Sequence, residues 1–543
     1  MKPKRLFWQV GLGLFGITLP VPLIPMKLKI LLLALMALCG SSVSAEQLVY
    51  HQIQTDRDSQ ILPWSSPEPA KAYDQVIRAV WSFWKNMGNC TNGVPYFFQH
   101  QVWKPEHDPR GLGGDQLAMA LSSLNLLYGY TGDPNAREMM VLIADYYLAH
   151  GFSSVTDAWP SLPFPYNTDL HSGYYDGDMR AGKGFLQPDK AGSFGIELVT
   201  LYEITGDKRY LDSAIGIADT LAAKETPGDA DHSPWPFRVN AQTGEIASKA
   251  YAPYTANWTG TMRLFNELIR LKHGKPAAYR SANRLLTAWL KAYPLKSNKW
   301  GPFFEDITEW SNTEINADTM AWYILEHPQW EAHWREEARG ILNWTLATFG
   351  TNRWAGYGVT AIQEQTAYRV PGNSHSSRHA SVELIYAERT GDPTQKQAAI
   401  RLLNWATYMV DSDGKNRYPN DDIWLTDGYG DYLRHYLRAM AAAPELAPPD
   451  QDHLLRSSSV IRHVEYAAKN ITYKTFDSAS RERLRITFEP VKVTTNGKPL
   501  KRVKTIEDLE HRDGYYFQPA GSLKGLLEIK HSHGHQVQIR GPI

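Results

Sequence analysis

The chain has 543 residues, 43% of them hydrophobic and 21% charged, with 57 basic against 57 acidic side chains. That suffices for one large core and a small second domain, and it lacks the basic excess that a nucleic-acid partner would require. Two cysteines, Cys39 and Cys90, exclude a disulfide framework and a cysteine-based metal site.

From Met26 the chain reads "MKLKILLLALMALCGSSVSAEQ": two lysines, a short apolar run, then small residues up to Ala45. This is the pattern of a secretory signal, so residues 1–45 are expected to be removed and the protein exported to the periplasm or beyond. The apolar run is too short to leave a stable membrane span in the mature protein. Lys2, Lys4, Arg5, Lys27 and Lys29 leave with it and no acid does, so 52 basic residues face 57 acidic ones. An N-terminal extension follows, residues 46–69.

From residue 70 the apolar spacing predicts twelve helices, at about 71–88, 115–130, 134–150, 191–205, 208–224, 257–273, 276–292, 313–326, 330–348, 375–390, 394–410 and 427–441. The phrases "YGYTGD", "YEITGD" and "YAERTGD" begin at Tyr128, Tyr202 and Tyr386 and each stands between two of them. Glycine can close one helix in the left-handed conformation while aspartate caps the next, and Pro134 and Pro393 follow where a missing N–H costs nothing. "RLKHGKPAAY" and "ILEHPQW" supply two more such joints. The repeat is therefore one helical hairpin per sixty to seventy residues. Long connections alternate with the joints, near 89–114, 151–190, 225–256, 293–312, 349–374 and 411–426, and loops of that length are usually functional. A linker, 443–459, precedes strand-like segments such as "LRITFEPVKVTT" and "HQVQIRG", which predict a small β-domain over 460–543.

Six helical hairpins, short turns at one end and long loops at the other, resemble the six-hairpin glycosidase-like proteins, the (α/α)6 toroids of several glycoside hydrolases, polysaccharide lyases and sugar epimerases. The resemblance covers residues 70–442 and lies in architecture; no single family's catalytic motif is matched. It implies a mainly α fold, an (α/α)6 toroid followed by the small β-domain, with the helix after each long loop on the inner ring. It also implies an enzyme whose partner is a poly- or oligosaccharide, working without a cofactor.

Polar residues concentrate where the long loops meet the inner helices. Hydrolysis of a glycosidic bond needs an acid and an opposing carboxylate, which points to Asp427 or Asp431 paired with Asp115 or Glu314. Asp115, Glu314 and Asp427 also stand where helices favour an acidic first turn, so capping competes with catalysis. β-Elimination on a uronate would instead use Tyr174, Tyr175, His171 or His375 as base, with Arg378 and Asn257 at the carboxylate. Epimerisation by histidines and a non-catalytic glycan-binding cleft are further readings. Trp159, Trp258, Trp310 and Trp424 are candidates for stacking on sugar faces. Asn257, Arg180, Lys190, Arg378 and His379 are candidates for polar contacts, and the cations among them suggest an acidic substrate. His375 and His379 share a helix face but lack a third placed ligand, so no metal is expected.

Overall fold

The structure, a computed structural model, describes residues 46–89, 95, 114–165, 182–304, 309–416, 430–520 and 525–542. Among these, the helices of eleven residues or more number twelve: α1 Pro69–Asn86, α2 Gly114–Thr131, α3 Pro134–His150, α4 Pro188–Thr205, α5 Lys208–Lys224, α6 Thr259–Leu271, α7 Pro276–Ala292, α8 Glu314–Glu326, α9 Trp334–Phe349, α10 Asn373–Thr390, α11 Lys396–Thr407 and α12 Tyr432–Ala442. Helices α2, α4, α6, α8, α10 and α12 each pack on the next and α12 returns to α2, closing the inner ring; α1, α3, α5, α7, α9 and α11 lie outside it. This is the (α/α)6 toroid.

Burial separates the two rings. Inner α4 is buried along almost its whole length, whereas outer α5 buries only Tyr210, Leu211, Ala214, Ile217, Ala218, Thr220 and Leu221, the stripe of a helix packed on one side. The inner helices approach closely where small residues allow it. A Cβ on Gly192 would collide with Thr261, and one on Gly260 with Ser193.

The thrice-repeated phrase does the same work each time. The hydroxyls of Thr131, Thr205 and Thr390 each donate to the carbonyl four residues back at 2.7 Å, and accept from the backbone N–H of Asp133, Asp207 and Asp392 at 3.1, 3.1 and 3.2 Å. Gly132, Gly206 and Gly391 take φ of 71°, 79° and 77°, and the aspartates then accept from the N–H two residues on. Several boundaries differ from the predicted ones by a few residues, and three late helix starts have a local cause. Pro328–Trp330 forms a 3-10 turn, so α9 starts at Trp334 rather than 330. The Asp392 cap on Thr394 leads into a turn, delaying α11 to Lys396. Turn residues 430 and 431 precede α12.

The N-terminal extension folds against α11: Tyr408 donates to the Leu62 carbonyl at 2.7 Å, and Asn404 to that of Ile61 at 3.0 Å. Among the described residues after α12 there are nine strands, β1 His453–Ser457, β2 Ile461–Ala467, β3 Asn470–Thr475, β4 Ser480–Ile486, β5 Lys492–Thr495, β6 Lys498–Pro499, β7 Gly514–Pro519, β8 Gly525–His531 and β9 Gln536–Arg540. They form two antiparallel sheets, ordered β7-β8-β4-β1 and β6-β5-β9-β3-β2. The stretch expected to be a linker thus contains β1, whose His453 and Leu454 pair with β4 and pack on the toroid. The His453 ring stacks on Tyr130 at 3.8 Å, and Val464 N–H donates to the Tyr128 hydroxyl at 3.2 Å, so the β-domain covers the end of the ring that carries the Thr-Gly-Asp turn. No helix of the described residues is long and apolar enough to cross a membrane.

Candidate functional site

At the opposite end of the ring lie the N-termini of the inner helices. Three of them turn polar residues at helical spacing toward one another: Glu314 and Asp318 on α8, His375, Arg378 and His379 on α10, and Asp431, Arg434 and His435 at the start of α12. Residues three and four apart share a helix face, so each helix offers one polar stripe. All but Arg434 are buried as whole residues.

The stripes interlock. Arg378 pairs with Glu314 on one side and Asp431 on the other, and Asp431 also pairs with Arg434. His435 Nε2 lies 3.1 Å from Asp431 Oδ1. Burial alone would raise the Asp431 pKa, but Arg378, Arg434 and His435 together hold it well below the usual carboxylate range. Asp431 is thus a fixed anion that anchors two arginines. Burial pushes His435 down, to about 3, against the pull of Asp431, and leaves it neutral.

Glu314 has a different environment. Burial pushes its pKa well above the usual range, Arg378 opposing, with Asp318 and Asp431 adding to the rise. Its Oε1 pairs with Nδ1 of His375, while His375 Nε2 faces Glu364 Oε2 at 3.8 Å. Glu364 accepts from Gln365 Nε2 at 2.8 Å. His375 therefore has one ring nitrogen held by a carboxylate and the other beside a second carboxylate, the arrangement that fixes a tautomer and orients an imidazole for proton transfer. His379 makes a second pair, Nδ1 to Asp318 Oδ2 at 2.8 Å; burial would lower its pKa, but Asp318 and Glu383 raise it overall.

Two neighbouring helices complete the wall. Asn257 donates to Asp189 Oδ2 at 2.8 Å, and Lys190 donates to Gln187 Oε1 at 3.0 Å and to the Phe303 carbonyl at 2.6 Å. Asn316 donates to the carbonyls of residues 300, 301 and 302, pinning that loop to α8. Inside the ring these residues enclose a cavity of about 70 Å³ that reaches down to Trp322 and Arg438. Ligand pockets begin at about 300 Å³, so a sugar ring does not fit there.

Of the candidate residues, the ring thus unites Glu314, His375, Arg378, His379 and Asp431, with Lys190 on α4 and Asn257 just before α6. The tryptophans divide differently from the stacking expectation. Trp258 is fully buried against Trp235 and donates to the Thr255 carbonyl at 2.7 Å, so it is core packing. Trp159 is buried as well, its backbone bonded to Ala241. Trp310 is 38% exposed beside Tyr254 and Lys299. Asp427, Tyr174, Tyr175, His171, Trp424 and Arg180, and the side chain of Asp115, lie outside the described residues. Sequence reading missed Glu364, which no local pattern marks. It also missed Arg434 and His435, although "HSSRH" and "DYLRH" carry the same charged spacing on two inner helices. Among the described residues, no group of three or more His, Cys, Asp or Glu is arranged to hold a metal ion.

No protein-family model matches the chain, and no curated protein matches it in sequence. Among solved structures it is similar to the cellobiose 2-epimerase of Spirochaeta thermophila DSM 6192, at 14% identity and TM-score 0.51 over 70% of this chain and 98% of that one. It is also similar to a D-mannose isomerase, at 11% identity and TM-score 0.50 over 70% and 99%. At such identities the likeness is one of fold, the (α/α)6 toroid.

Proposed function

We propose that the chain is a carbohydrate-active enzyme in which His375, oriented by Glu314, moves a proton on a saccharide bound at the loop-bearing end of the ring. The observation that carries this is the buried Glu314–His375–Glu364 constellation, an imidazole between two carboxylates. Such a group suits removal of a proton from a sugar carbon, the step common to elimination and epimerisation. Two of the solved structures similar in fold are named as an epimerase and an isomerase, but the reading rests on His375 rather than on them. The saccharide reaches this end because the cavity below is too small to hold it.

Hydrolysis is the second reading, favoured by one observation. Burial raises the Glu314 pKa as a general acid requires. The partner carboxylate would then be Asp427 or Asp115, since Asp431 is committed to its arginines. Export is supported by the leader-like segment before Glu46. Lys190 and Arg378 are buried and bonded within the ring, so they lend no support to an acidic substrate.

A panel of neutral and acidic glycans tests both. Products are read as new reducing ends, as the ultraviolet absorbance of an unsaturated uronate, and as deuterium taken up from solvent at a sugar carbon. His375→Asn is expected to lower turnover by about 10²-fold or more, with circular dichroism unchanged. Full turnover in that variant, or new reducing ends with neither deuterium uptake nor unsaturation, would move the assignment to hydrolysis.

A further inference from the structure

We propose that the axial cavity binds one small monovalent inorganic anion of chloride size, held by Arg438 and Arg434. Among the described residues the cavity is lined by Lys190, Arg263, Arg378, Arg434 and Arg438, and by two carboxylates, Glu197 and Asp318. Most of these charges are matched. Asp318 serves His379, Lys190 adjoins Asp189, and Arg378 lies between Glu314 and Asp431. Arg434 shares Asp431, and Arg263 stands 3.9 Å from Glu197.

Arg438 is the exception. Its guanidinium lies 4.5 Å from the ring centroid of Trp322, and among the described residues it has neither a hydrogen bond nor a carboxylate within ion-pair distance. Arg434 Nε is likewise buried without a hydrogen-bond partner among them. Setting the pairs of Lys190 and His379 aside, four arginines, at 263, 378, 434 and 438, face three carboxylates, at 197, 314 and 431. With all three ionised, one positive charge is left over among the described residues inside the ring, and protonation of Glu314, whose pKa burial raises, leaves more. A buried charge without a counter-charge is costly, and here the missing partner is a negative charge. Burial, Arg434 and Arg263 together depress Arg438, to about 9, which is the crowding that an anion would relieve. The cavity's 70 Å³ holds a group or two of water size, since a water occupies about 30 Å³. Chloride fits such a space and a sugar carboxylate still attached to its ring does not. The site is independent of the reaction at His375.

The test is thermal unfolding of the full chain in a chloride series, with gluconate, too large for the cavity, keeping ionic strength constant. A ligand that binds only the native state raises the melting temperature saturably. Wild type is expected to show such a rise, and Arg438→Met to lose it. Bromide soaked into crystals of the wild type gives a readout that does not depend on the variant folding, an anomalous peak beside Arg438. Equal melting temperatures in chloride and gluconate would mean that the cavity holds water only and would overturn the proposal. So would a chloride response undiminished in Arg438→Met, or soaked crystals without the peak.

Discussion

Asp431 shows how a residue's role follows from its partners rather than its type. As a carboxylate at an inner-helix start it reads as a candidate acid, but two arginines, the buried Arg378 and the half-buried Arg434, converge on it. Replacing it by asparagine leaves both without their counter-charge, and breaking a buried pair from one side costs about 3–5 kcal/mol. Asp431→Asn is therefore expected to lower the urea midpoint markedly at neutral pH. The pH dependence has a definite sign. A carboxylate whose folded pKa is depressed contributes stability that is present above its unfolded pKa, about 3.9, and lost as pH falls through the folded value. The gap between wild type and variant should thus be constant from neutral pH down to about 4 and close only in stronger acid. A gap that closes near neutral pH would show that Asp431 is not the anchoring anion. His375 differs because its ring has one carboxylate to orient it and a second face beside Glu364, so substitution there is expected to show in turnover rather than in stability.

The hairpin turn is the element whose physics is most fully local. Gly206 sits at φ of 79° with nothing within 4 Å of where a Cβ would stand, so Gly206→Ala meets backbone strain alone, about 1 kcal/mol. Gly132 has nearly the same φ, but its Cβ would lie 3.2 Å from the Tyr466 ring and 3.6 Å from the Val464 carbonyl. Gly132→Ala is therefore expected to cost more than Gly206→Ala by loosening the β-domain's seat as well. Chemical denaturation of the two variants compares them directly, and equal losses would mean that the β-domain does not bear on this turn. Of the two other joints, the one before α9 differs, closing α8 at His327 with φ of −129° and a 3-10 turn. The one before α7 reaches the left-handed geometry with different residues. Lys272 takes the left-handed conformation at φ of 60° and Gly274 at 65°, and Pro276 then opens α7.

At the scale of the molecule, the β-domain closes one end of the toroid. Arg456 donates to both oxygens of Glu388 on α10 at 2.9 and 2.6 Å, Arg483 donates to the Ala441 carbonyl at 2.7 Å, and Arg270 on α6 pairs with Asp477 at 2.6 Å. A cavity of about 690 Å³ lies between these contacts, and at its edge burial and Glu267 push Glu203 up, to about 9. Removing residues 453–543 would expose the inner-helix ends together with Tyr128, Gly129 and Tyr130. The truncated chain is expected to melt well below the full one and to lose its single cooperative transition. An unchanged melting temperature would show the ring to be self-sufficient.

Helix positions, the turns and the segregation of turns from loops were determined by the sequence alone, because capping, proline at the first helical position and apolar spacing act within a few residues of the chain. "TGD" needs no distant partner to close one helix and open the next. The charged spacing is present in "HSSRH" and "DYLRH", though sequence reading draws from it only the shared face of His375 and His379. What these segments meet was decided only by the closed ring: Glu314 lies 61 residues from His375, and Arg378 lies 53 from Asp431. Whether a carboxylate is an acid, an anchor or a helix cap depends on burial and on the charges within a few ångströms. The same holds for tryptophan: Trp159 sits in a long connection, as a sugar-stacking residue would, yet it is buried. Loop position is a property of the chain, whereas exposure is a property of the packed ring.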